Sequence, residues 1–297
     1  MKVKNLIAKL ASPRLLWFYS LALIWPIRIQ KKSSEDAIKF GLNKPVFILS
    51  FDCDTDLDIS VVENVHKKLI LEGIRPIYAV PGELLIQGSD VYKRIYDTGA
   101  EFINHGYRRH SDVSLPNRNY FATFFYEQES MATVVEDIKL GHEAIQKVLG
   151  FTPSIFRTPH FGGFSKSSQL DFLWKTLKAL NYELSSSTTP HFAYINGPIS
   201  VHHEICEIPV SGDPQRPSQV LDSWSYAFSG KKSLSKVKYL RAINQLADEM
   251  DAGKVLFLNI YADPSQVHDW PEFFEAIARL RHFNVDSFYG ARSAFFD

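Results

Sequence analysis

An α/β barrel is the fold class this 297-residue sequence predicts. Three observations predict it. Short apolar runs of strand length alternate with segments of helical spacing. About seven such units follow one another, which argues for a parallel sheet that closes on itself. Polar residues able to do chemistry stand at the ends of the apolar runs. In a barrel of parallel strands those ends gather at one face, so residues distant in sequence share a pocket.

The elements follow in order. Val46–Phe51 reads as a largely apolar strand, and Ser60–Glu72 has helical spacing that stops at Gly73. Pro76–Val80 is the next strand, Leu84–Tyr96 a helix ending at Gly99, and Glu101–Asn104 a third strand. Residues 106–128 form an aromatic, polar loop, long enough to be a lid or a substrate wall. Met131–Leu149 is a strongly amphipathic helix closed by Gly150. Strands are expected at Ser154–Arg157, Tyr182–Leu184, Ile205–Val210, Val255–Ile260 and Val285–Phe288. Helices are expected at Ser167–Leu180, Leu234–Asp251 and Pro271–Arg281. Lys31–Asn43, polar and ending near Gly41, reads as a linker between residues 1–40 and a barrel over 41–297.

Hydrophobic content of 45% against 22% charged residues is an ordinary globular mix and excludes wholesale disorder. The net charge of zero hides an asymmetry. Residues 1–34 contain Lys2, Lys4, Lys9, Arg14, Arg28, Lys31 and Lys32 and no acid, so the remainder carries the balancing negative charge. The basic end is local, and a nucleic-acid footprint on the body is not indicated. Two cysteines, Cys53 and Cys206, make no disulfide framework, which fits a reducing compartment such as the cytoplasm. Cys53 reads as a small buried thiol.

The apolar run between Arg14 and Arg28 is rich in Trp and Tyr and flanked by basic residues. As a helix it spans roughly 20 Å, short of the ~30 Å hydrocarbon core. The leading expectation is an interfacial anchor making peripheral membrane contact through residues 1–30, at the inner face. A signal peptide, and hence a secreted or membrane-anchored protein, is the rival, although no small-residue cleavage site follows. A helix packed on the protein's own barrel is the third reading.

Asp54, His105 and His110 make an Asp-His-His set whose donors suit zinc or another divalent metal, with a position left for water. Asp52 is the matching general base, since a carboxylate beside activated water can take its proton. Arg157 is placed to pair with that carboxylate and fix its orientation. The plain alternatives are a strand-end His105 bonded to backbone, a His110 within a solvated basic run, and an ordinary ion pair at Arg157. As an ordered set these residues point to a hydrolase.

The motifs resemble those of the polysaccharide deacetylases, the carbohydrate esterase family 4 proteins with the NodB homology domain. Phe51-Asp52-Cys53-Asp54 is similar to the first motif of that family, usually Thr-Phe-Asp-Asp-Gly. Gly99 to His110 resembles the segment bearing its His-x-x-x-His pair, and Gly150 to Gly162 the segment ending Arg-x-Pro-Tyr-Gly. Asn181 to Ser187 and Glu207-Ile208-Pro209 resemble two later stretches. The likeness runs over about residues 44–292 and implies a distorted (β/α)7 barrel and metal-assisted hydrolysis of an N-acetyl or O-acetyl group on a sugar. The site residues and the basic, aromatic amino terminus together lead to the expectation of an N-acetylated surface or lipid-linked glycan as substrate and partner. It implies Asp52 as base, Asp54, His105 and His110 as metal ligands, and Arg157 as the residue steering the base. Substrate contacts are expected from Tyr107, Pro159, His160 and Tyr261. The sequence departs at three places. One residue separates Asp52 from Asp54, the two histidines are five apart instead of four, and Asn259 stands where the family's Leu-x-His supplies a general acid. Asn259 can donate to an oxyanion but holds no titrating proton, so His160 or His191 would have to serve as acid. Otherwise the chain is a glycan-binding pseudo-enzyme, or hydrolyses a non-sugar amide.

Overall fold

The structure is a computed structural model and describes residues 13–229 and 234–296. Lys2, Lys4 and Lys9 of the basic amino-terminal segment lie outside the described residues. In chain order the strands are β1 (Val46–Asp52), β2 (Ile77–Val80), β3 (Phe102–Asn104), β4 (Ser111–Ser114), β5 (Asn119–Ala122), β6 (Ile155–Phe156), β7 (Leu184–Ser185), β8 (Ser200–His202), β9 (Ile205–Glu207), β10 (Gly212–Asp213), β11 (Arg216–Val220) and β12 (Phe257–Ala262). The main sheet runs β12-β1-β2-β3-β6-β7-β9-β8. Every neighbouring pair is parallel except β8–β9. Helices cross between the parallel strands, among them Asp56–Leu71, Met131–Leu149 and Ser167–Ala179. The sheet curls into a half-barrel. Beyond β9 the chain turns back to β12: Ser211 N–H donates to the Asn259 carbonyl at 2.8 Å, and Ile208 N–H to the Ser185 carbonyl at 2.8 Å.

Strand alternation explains what points where. Phe47, Leu49 and Phe51 pack outward with Tyr78, Val80 and Phe102 in the larger core under the helices. Val46 and Ile48 face inward with Ile77, Ala79, Ile103, Ile155 and Leu184 and fill the barrel. Continuing the same period past Ile48 puts Ser50, Asp52 and Asp54 on the inward side and sends Cys53 outward into the larger core. Both cysteines are buried and free.

Several boundaries differ from the sequence reading. Lys31–Asn43 is no linker. Pro26–Lys39 is a helix with Pro26 in its first turn, braced by Lys31–Glu35 at 3.6 Å and by Lys32 on Asp36. Its buried face carries Gln30, Ser34 and Ala37 beside Ile29, and those small or polar residues hide the helical stripe. Leu84–Tyr96 divides at Gly88 into Gly82–Gln87 and Ser89–Tyr96. The expected strand Val285–Phe288 shrinks to one bridge, Phe47 with Asn284, before Ser287 caps the helix Phe288–Ser293 through Gly290 N–H at 2.9 Å. The aromatic loop holds an antiparallel hairpin of β4 and β5.

Candidate metal centre and cleft

Asp54, His105 and His110 converge. Asp54 Oδ1 lies 3.5 Å from His105 Nε2 and 2.9 Å from His110 Nε2. One ligand atom from each residue lies within 4.8 Å of the other two. Both imidazoles are buried, and Asp54 Oδ1, His105 Nε2 and His110 Nε2 have no hydrogen-bond partner. Ligands at ~2.0–2.1 Å in a tetrahedron stand about 3.4 Å apart, so this spacing and these donors fit a divalent cation. His105 is turned by its other nitrogen, Nδ1, which sits 2.9 Å from the Arg157 carbonyl. That contact fixes the ring's orientation, as is usual behind a metal ligand. Burial raises the Asp54 carboxyl, but His110 and His105 outweigh burial and hold it well below the ordinary carboxylate range.

The two spacing anomalies resolve in the local backbone. Residues two apart in an extended segment share a face, so the Asp52-Cys53-Asp54 arrangement turns both carboxylates to the pocket. The five-residue histidine spacing is absorbed by a loop that turns left-handed at Gly106 (φ 77°). A Cβ there would collide with Asp137. Asp137, buried on the helix Met131–Leu149, accepts from Tyr107 N–H (3.1 Å), Arg108 N–H (2.9 Å) and Tyr126 O–H (2.7 Å). Asn104 Oδ1 takes Gly106 N–H at 2.9 Å. Gly141 lets the loop approach the helix, because a side chain there would strike Asn104 and the Gly106 carbonyl. Sequence reasoning missed Asp137; a lone acid on a helix's apolar face was the available signal.

Asp52 ends β1 beside the triad, with Oδ2 3.8 Å from His105 Nε2. Arg157 Nη1 donates to Asp52 Oδ1 at 2.6 Å, and both residues are buried. The Arg157 guanidinium also sits over Phe161 (5.4 Å) and Tyr261 (5.8 Å) and donates to Ser186 Oγ at 3.3 Å. Behind β1, Thr55 and Asp58 form a capping box. Asp58 also takes Ser265 N–H at 2.7 Å, tying the turn after β1 to the turn after β12. Burial pushes its carboxyl up to about 6.

A cleft of about 410 Å³ opens over Asp52 and Asp54, walled by Tyr120, Phe121, Phe161 and Trp224. Tyr261 and His160, two of the expected substrate contacts, line it. Tyr107 and Pro159 do not: Tyr107 packs where a side chain at Gly82 would be, and Pro159 is buried. His160 is a poor acid. Burial and the neighbouring His110 push it down to about 4, and its Nε2 is 3.0 Å from the His110 carbonyl, to which it can only donate. His191 lies against Phe18 and Tyr19 with Nδ1 2.7 Å from Thr189 Oγ1, outside the cleft lining.

Asn259 stands elsewhere than expected. It pairs with Ile48, deep in the barrel, and its Nδ2 reaches Ser186 Oγ (3.1 Å) and the carbonyls of Ile208 and Pro209 (both 3.2 Å). It ties the barrel seam and does not face the cleft. Phe51 pairs with Ala262, so the position level with Asp52 is Asp263. Asp263 lines the cleft and accepts from Gln266 Nε2. Burial, reinforced by Asp54, Asp58, Asp52 and Asp222, pushes its carboxyl well up. Asp222 meets Tyr261 O–H at 2.8 Å. Asn259 lies four positions before Asp263, the one deep in the strand and the other at the mouth.

Residues 41–184 match the family model for polysaccharide deacetylase. A structure assigned as a polysaccharide deacetylase from Mycobacterium smegmatis superposes with a TM-score of 0.57 at 16% identity, over 86% of this chain and 91% of its own. One from Pseudomonas aeruginosa PAO1, assigned likewise, gives 0.56 at 11% identity, over 84% and 89%. A carbohydrate esterase family 4 pseudoenzyme from Bacillus anthracis gives 0.50 at 10% identity, over 84% and 66%. At these identities the likeness is one of fold. No curated protein sequence matches the chain.

Proposed function

We propose that this chain, which matches the polysaccharide deacetylase family model over residues 41–184, is a metal-dependent hydrolase removing the acetyl group from an N-acetylated sugar of a surface or lipid-linked glycan. The observation that carries this reading is the set of three unpartnered, buried ligand atoms of Asp54, His105 and His110 beside the Asp52–Arg157 pair. Those three residues would hold the cation, with zinc the choice their donors favour. Such an ion supplies Lewis acidity and eases deprotonation of water near neutral pH. Arg157 occupies Oδ1 of Asp52 and leaves Oδ2 to take a proton from the attacking water. Asp263, level with Asp52 and with its carboxyl pushed up by burial and by the carboxylates around it, is the residue placed to return a proton to the leaving nitrogen. The aromatic walls of the cleft offer faces for a sugar ring.

The pseudo-enzyme reading draws on Asn259 and on the five-residue histidine spacing. Against it stand the seam position of Asn259 and the turn at Gly106 that lets both imidazoles reach Asp54. The test is acetate release from N-acetylglucosamine oligomers by zinc-loaded protein. Asp52→Asn is expected to lose about 10²–10⁴-fold in rate while keeping its zinc. Asp263→Asn is expected to fall into the same range. Wild-type protein that holds zinc but releases no acetate, or an unaffected Asp52→Asn, sinks the reading.

A further inference from the structure

The helix Pro13–Ile24 and the helix Pro26–Lys39 are two-sided. Phe18, Leu21, Ala22 and Ile29 form a buried cluster, with Phe18 5.1 Å from the Tyr194 ring. Ser34 Oγ donates to the Val255 carbonyl at 2.7 Å and Gln30 reaches Glu249 at 3.4 Å, so this face is fastened to the barrel. The opposite face is apolar and open. Trp17, Leu23, Ile24, Trp25 and Ile27 are 58%, 85%, 64%, 51% and 63% exposed. They recur at helical spacing (Trp17 with Ile24) and cluster at the corner where the two helices meet. A run of large side chains left in water at one corner is a recognition surface, not the usual scatter of single exposed residues.

Charge says what covers it. Residues 1–34 contain seven Lys or Arg and no Asp or Glu. Arg14 and Arg28 are exposed, and the Arg28 guanidinium lies 4.6 Å over the Trp25 ring at the corner. Lys31 is exposed as well, paired loosely with Glu35 at 3.6 Å. Among the described residues no helix is long and apolar enough to cross a membrane. Trp beside Arg over a broad apolar face matches the headgroup zone of a bilayer with anionic lipid, where such a surface lies flat.

We infer that this helix pair docks the protein on an anionic lipid surface, its inner face clamped to the barrel and its outer corner immersed among the headgroups. The inference is independent of the hydrolase reading, because it requires neither metal nor substrate.

The test is flotation of the full chain with vesicles of phosphatidylcholine mixed with phosphatidylglycerol, against pure phosphatidylcholine. The full chain floats with the anionic vesicles, and much less with neutral ones or at high salt. Replacing Trp17, Ile24, Trp25 and Ile27 by Ser lowers binding at least about tenfold. Because these side chains are exposed, the melting temperature holds. Arg14→Gln with Arg28→Gln weakens binding to anionic vesicles only, and serves if the fourfold variant folds poorly. A full chain that stays unbound, or a fourfold variant that floats like wild type, overturns the inference. So does a concentration-dependent dimer abolished by the same substitutions, which would assign the corner to a second copy.

Discussion

Two carboxylates on either side of one loop, Asp137 buried and Asp54 partly buried, behave oppositely. Asp137 is saturated: two backbone N–H groups and the Tyr126 hydroxyl converge on it. Asp54 keeps an unbonded Oδ1 facing two imidazole nitrogens that are themselves unbonded. Leaving buried polar atoms unsatisfied costs about 1–3 kcal/mol each. A fold bears that cost where a ligand restores the bonds. The saturated acid therefore builds the loop, and the unsaturated one offers a bare oxygen to the cation proposed for this site.

The contrast can be broken by exchange. The largest effect is expected for Asp54→Asn, which should weaken zinc binding beyond the about 10–100-fold typical of losing an outer partner of a metal ligand. Titration followed by thermal melting reads it. Wild type gains about 2.7 kcal/mol when free zinc exceeds its Kd about 100-fold, and the variant gains little. An unchanged zinc response would show that Asp54 is no ligand. Asp137→Ala comes next. Stripping three donors of their acceptor should cost about 3 kcal/mol or more in the metal-free protein, read by denaturant unfolding. Asp54→Asn should cost the metal-free fold less. If the two variants unfold alike without metal, the distinction between scaffold and ligand fails.

Glu101 sharpens the comparison as an intermediate case, with the smallest expected effect. One oxygen accepts Phe288 N–H at 2.8 Å, and burial pushes the carboxyl up from 4.5 to about 7. The folded state then binds the proton more tightly than the unfolded chain. Its contribution is full below pH 4.5 and is lost as pH rises through about 7. Glu101→Gln should flatten that decline, about 2 kcal/mol between pH 5 and 7. Denaturant midpoints across that range measure it, and an unchanged slope assigns the decline to other groups such as Asp58.

Much of this was legible in the chain. Alternating apolar runs and helical stripes announced a parallel sheet. The strand-end positions of Asp52, Asp54, His105 and Arg157 announced one pocket, and the structure gathers them with His110. Asn259 was misjudged because a motif match has no depth coordinate. Only strand register separates the seam from the mouth. The helix Pro26–Lys39 looked like a linker because its buried face carries Gln30 and Ser34. Those polar side chains are hidden only because Glu249 and the Val255 carbonyl receive them.

By itself the sequence determined the alternation, the family motifs and the identity of the donor atoms, because these depend on residue type and on periods of two and 3.6. The tertiary structure alone decided which acid is saturated and which is bare, which residue stands level with Asp52, and which helix face meets the barrel. Those outcomes depend on register and on neighbours drawn from distant parts of the chain, and no local pattern encodes either.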